Sequence, residues 1–135
     1  LAFDTTNHIF LPDCYFAVDV GVNSNAADWT VTHTISSMVN QSVPTANLDH
    51  NVIVTFAKTV TTKTGTDDTV LSKVSFAASN GVSYGKSALS GGWLRIYYGI
   101  ATGDLKASEP PDVSPVTTDT PAGYYVGSVT ITLTP

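Results

Sequence analysis

The sequence predicts an all-β fold, an antiparallel β-sandwich with Greek-key connections. Three observations carry this. Apolar and polar residues alternate with period two over six segments. Gly, Pro and Asn separate those segments. No segment shows the 3.6-residue period of a helix.

The segments come in order. Cys14–Val22 puts Cys14, Phe16, Val18, Val20 and Val22 on one face. Trp29–Ile35 sets Trp29, Val31, His33 and Ile35 against three threonines. Asn51–Lys58 turns Val52, Val54 and Phe56 inward, and Val70–Phe76 turns Val70, Val74 and Phe76 inward. Trp93–Ile100 places Leu94, Ile96, Tyr98 and Ile100 on its core side. Tyr124–Thr134 offers Val129, Ile131 and Leu133 against Ser128, Thr130 and Thr132. Half-buried strands of this kind belong to antiparallel sheets packed face to face. Val60–Thr64 offers a short seventh strand, and Thr45–His50 a turn of helix. Asn23–Asp28, Thr64–Asp68, Asn80–Gly92 and Thr102–Ala122 read as loops. The last carries four prolines, so it cannot be a central strand.

The 135 residues suit one domain, 1–135, with 42% hydrophobic residues for a core. Charged residues make up only 13%, about half the usual share. Such polar, weakly charged surfaces accompany secreted and cell-surface β proteins, so the expected location is extracellular. The chain opens on Leu1, which reads as a mature or trimmed product. The net charge is −5 and the six basic residues are scattered. No cluster can neutralise a run of phosphates, which argues against nucleic acid and anionic membranes. No apolar run reaches the roughly 20 residues of a membrane span.

The chemistry-bearing residues point to no catalytic constellation. Cys14 stands alone, so no intrachain disulfide forms, and its phase with Phe16 and Val18 predicts an inert buried thiol. His8, His33 and His50 lack metal-ligand spacing, and no metal or cofactor is expected. His33 reads as a hydrogen-bonded core histidine. Asp67 and Asp68, like Asp104, Glu109 and Asp112, read as loop acids without EF-hand spacing. There is no G-x-S-x-G elbow. Asn40-Gln41-Ser42 matches an N-glycosylation sequon.

The final segment, with Pro121, Ala122, Gly123, Tyr124, Gly127, Val129, Ile131 and Leu133, resembles the C-terminal strand of fimbrial subunits from chaperone–usher pili. It covers about an eighth of the chain. The resemblance implies an incomplete immunoglobulin-like sandwich whose apolar groove takes a neighbour's N-terminal donor strand. Residues 1–11 would supply that strand through Leu1, Phe3 and Ile9. Val129, Ile131 and Leu133 would form the acceptor groove. The alternation from Leu1 to Ile9 is looser than in the family, and some family members carry a disulfide that a single cysteine cannot form.

The implied function is a structural subunit of a surface filament, with identical subunits as partners and no enzymatic activity. The alternative is a monomeric adhesin tip or carbohydrate-binding module that contacts a host glycan or receptor through exposed aromatics. Trp93, Arg95 and Tyr97 are the candidate contact surface. They stand about 7 Å apart on the face opposite Leu94 and Ile96, unless a loop such as Thr102–Ala122 covers them.

Overall fold

The computed structural model describes residues 3–4, 9–10, 15–60, 69–89, 92–103 and 109–135. Every regular element among them is a strand, apart from one 3₁₀ turn at Ala77–Ser79. The strands are β1 (Phe3–Asp4), β2 (Ile9–Phe10), β3 (Tyr15–Val20), β4 (Thr30–Asn40) and β5 (Val52–Thr59). They continue with β6 (Thr69–Ser75), β7 (Val82–Gly85), β8 (Trp93–Ile100) and β9 (Tyr125–Thr134).

Two antiparallel sheets make the body, one ordered β3-β8-β5-β6 and the other β7-β4-β9. Each connection from β3 to β9, except β5 to β6, crosses from one sheet to the other. β1 and β2 pair with each other, Phe3 opposite Phe10 and Asp4 opposite Ile9.

The core lies between the sheets. Val54, Phe56, Leu94 and Ile96 come from the larger sheet and Val31 from the smaller. Trp29, Phe76 and Leu89, outside the strands, close it. The strand residues are buried because the period-two pattern sends alternate side chains to one face.

The six expected strands are present. β7 lies inside the stretch expected to be loop. Its four residues, Val-Ser-Tyr-Gly, are too short for alternation to stand out. β4 runs five residues past Ile35, through a bulge between Ser36 and Val39. That bulge breaks the alternation and hid the extension. Thr45–His50 forms turns rather than helix, and the one helical turn falls at Ala77–Ser79. Residues 61–64 of the expected seventh strand lie outside the described residues.

One long side of the sandwich is closed. Tyr84 of β7 packs its ring on Phe56, and its hydroxyl meets that of Ser72 on β6. The other side, between β3 and β9, is different.

Candidate functional site

β3 ends the larger sheet and β9 ends the smaller, and no pairing joins them among the described residues. Between them runs an apolar groove of about 360 Å³. Phe16 and Val18 form the β3 wall, and Val129 and Ile131 the β9 wall. Ile96 and Tyr98 of β8, with Met38 and Phe76, line it further.

The register explains why these side chains meet. Phe16 lies opposite Tyr98 and Val18 opposite Ile96, on the inward face. On the smaller sheet, Val129, Ile131 and Leu133 lie opposite Ile35, His33 and Val31. They point inward, yet Val129 is 38% and Leu133 46% exposed. Phe16 is 67% exposed. A core-phase phenylalanine open to water means the core is unfinished along this side.

Tyr98, which lines the groove, is half of a polar pair with His33. His33 is buried, and its Nδ1 lies 2.9 Å from the Ser79 carbonyl oxygen. A carbonyl only accepts, so Nδ1 carries the proton and Nε2 is free to accept. Nε2 takes the Tyr98 hydroxyl hydrogen at 2.9 Å. Burial holds the His33 pKa below its ordinary range, against a smaller opposing effect of the Ser79 bond. Burial pushes the Tyr98 hydroxyl up to about 12. Both groups therefore stay neutral near pH 7, which suits apolar surroundings.

Glycine at 127 lets β9 run close to the β4 bulge. A Cβ there would lie 3.0 Å from both the Met38 Cα and the Ser36 carbonyl oxygen.

The expected donor residues are placed in part. Phe3 and Ile9 sit in the β1–β2 hairpin, and Leu1 lies outside the described residues. Cys14, Asp67, Asp68 and Asp104 also lie outside them.

The stripe of Trp93, Arg95 and Tyr97 does occupy the outward face of β8, but its middle is not open. Arg95 is only 4% exposed. Its Nε and Nη2 donate to the two Asp19 oxygens, at 2.7 and 2.9 Å. The strand register sets Asp19 directly across from Arg95. Arg95 as a free contact residue is therefore corrected: the guanidinium is committed within its own chain. Its bond lowers the Asp19 pKa, more than burial raises it. The described part of the proline-rich loop is tied to the end of β5 away from Trp93, where Ser114 bonds His50 and Asn51.

Glu109 and Asp112 are structural anchors rather than free carboxylates. Glu109 accepts hydrogen bonds from the Thr102 amide and hydroxyl and from the Gly103 amide. Asp112 accepts from the Ser75 hydroxyl at 2.6 Å and lies 3.6 Å from His50 Nδ1. Here serine donates to the carboxylate and not to the imidazole, so the trio lacks the proton relay of a nucleophilic serine. No cluster of three His, Cys, Asp or Glu side chains suited to a metal occurs among the described residues. No helix among them is long and apolar enough to cross a membrane.

The sequon asparagine is fully buried. Asn40 Oδ1 accepts from the amides of Ser42 and Val43, and Nδ2 donates to the carbonyls of Pro121 and Ala122. The side chain is a clamp between the end of β4 and the approach to β9.

Sequence reasoning placed Phe16, Val18 and Tyr98 inward but took them for closed core. Alternation is the same for a groove wall as for a buried wall. Met38 was missed because the bulge puts it out of phase.

Comparison with protein-family models, curated protein sequences and solved structures gave no significant match to this chain. Its own geometry therefore carries the functional reading.

Proposed function

We propose that this domain is a structural subunit of a cell-surface filament assembled by strand insertion. A segment of a second copy enters the groove between β3 and β9 and completes an immunoglobulin-like sandwich. The open groove is the observation that carries this reading. Two sheet edges flank it, and each edge offers backbone donors and acceptors to an added strand. Inward-phased Phe16, Val18, Val129 and Leu133 stand a third or more exposed, ready for alternate side chains of that strand.

The incoming strand is the N-terminal segment of the neighbour, with Leu1, Phe3 and Ile9 as inserting side chains. Within one chain, β1 and β2 hold each other by two residues each. A two-stranded hairpin is marginal in water, so opening it costs little. Burying a Val, Leu or Phe contributes roughly 1.5–3 kcal/mol, so several inserted side chains outweigh that cost.

Size-exclusion chromatography with light scattering and negative-stain imaging test the proposal. The full chain should form concentration-dependent oligomers and rods. Phe16→Asp and Val129→Asp should remain folded monomers. Wild-type chain that stays monomeric at high concentration would reject the reading.

A further inference from the structure

A second concave site lies beyond the end of β3, at one pole of the sandwich. It measures about 350 Å³, within the range of roughly 300–1,000 Å³ typical of small-molecule sites. Both tryptophans of the chain, Trp29 and Trp93, line it. Asn23, Ser24 and Lys86 supply polar groups beside them. The groove between β3 and β9, by contrast, is lined almost wholly by apolar side chains.

The two indoles differ in role. Trp29 is 8% exposed and belongs to the core. Trp93 is 39% exposed, and its ring lies across Gly21. A Cβ on residue 21 would stand 2.4 Å from Trp93 Cζ3. The missing side chain thus lets the indole lie against the backbone.

The polar groups are partly committed. Lys86 Nζ donates to the Ala26 carbonyl at 3.1 Å and to the Ala27 carbonyl at 3.5 Å. An ammonium has three donors, so one remains while the other two hold it in place. Ser24 Oγ accepts from the Ala26 amide and keeps its own hydrogen to donate. Asn23 is exposed and contributes an amide that can donate and accept.

We infer that this pocket binds a neutral hexopyranose, with one face of the sugar ring stacked on Trp93. A pyranose has an apolar face of C–H groups and a rim of hydroxyls. The pocket offers the complement, an aromatic surface beside an amide, a hydroxyl and an anchored ammonium. A polyanion fits less well, because Lys86 is the one cation among the described lining residues, on a chain of net charge −5. The inference does not depend on strand insertion.

Tryptophan fluorescence reads the pocket directly, since both fluorophores line it. The full chain is titrated with methyl α-mannoside, methyl β-galactoside, methyl β-glucoside and N-acetylglucosamine. At least one should give a saturable change in emission, and Trp93→Ala should weaken its binding by roughly tenfold or more, as for an aromatic anchor. Binding to that variant is followed by calorimetry. Asn23→Ala, on an exposed residue, should weaken binding several-fold with unchanged melting. It decides the matter if Trp93→Ala proves unstable. No saturable change with any of the four sugars overturns the inference. So does binding that survives both substitutions undiminished.

Discussion

The hydroxyl of Tyr98, a residue lining the groove between β3 and β9, donates to buried His33 Nε2 at 2.9 Å. The two rings also stack, with centroids 6.0 Å apart, and Phe56 meets the imidazole edge-on. The pair stays neutral because a charge on either ring would be desolvated by the core around it.

Stability should fall with acid through His33. Its folded pKa is depressed below the ordinary value of 6.5. Below pH about 6.5 the unfolded chain takes up a proton that the folded chain resists, so stability present above that pH is lost as pH drops toward the folded value. Denaturant unfolding at pH 7.5 and pH 5.0 should show lower stability at pH 5.0. His33→Gln should shrink the difference, whatever its effect at pH 7.5. An equal pH dependence in both proteins would contradict the assignment.

Breaking the Asp19–Arg95 pair should be costly. Arg95 is the more buried partner, and removing the carboxylate takes away the bidentate acceptor that holds its Nε and Nη2. Asp19→Ala should lose about 1.5–3 kcal/mol, as for a hydrogen bond to a charged group. The Arg95 hydrogen bond, which holds the Asp19 pKa low, adds stability that is present above the usual carboxylate range and is lost as pH falls through the folded value. Urea unfolding of the wild type and the variant at pH 7 and pH 3 checks both points. A loss under 1 kcal/mol at pH 7 would contradict the buried pairing.

Asn40 should serve the fold and not carry a glycan. Asn40→Ala strands the amides of Ser42 and Val43 and takes a donor from the Ala122 carbonyl, so it should cost about 1–3 kcal/mol. Gly123, beside it at φ 133°, sits where other residues are strained, and Gly123→Ala should destabilise by a similar amount. Mass spectrometry of natively folded chain should find Asn40 unmodified.

The groove wall and the closed core should respond differently to the same insult. Phe16→Asp and Val129→Asp place the charge where water already reaches in the monomer, so melting of dilute, monomeric protein should move little. Val54→Asp buries a charge at a site with no exposure and should lose several kcal/mol. Thermal melting by circular dichroism separates the two groups. If Phe16→Asp unfolds the chain as Val54→Asp does, the groove is closed in solution.

Much of the sandwich was legible because alternation is a local property. The phase of Val129, Ile131 and Leu133 could be read from one strand alone. Whether those residues are covered could not, since coverage depends on which strands end each sheet. Arg95 shows the same limit: its partner Asp19 lies 76 residues away and meets it only through the β3–β8 register. Asn40 could be read only as a sequon match because its clamp residues, Pro121 and Ala122, are as remote. β7 escaped notice because four residues are too few for a period to declare itself.

Hydrogen exchange on β3 and β9 tests strand insertion most directly. The full chain is measured with and without excess synthetic peptide matching Leu1–Leu11. Insertion should slow exchange of amides within Phe16–Val20 and Val129–Leu133, the two edges that would gain hydrogen bonds. Amides of β6, the edge on the closed side, should be unchanged. Unaltered exchange on β3 and β9 at saturating peptide would contradict the account.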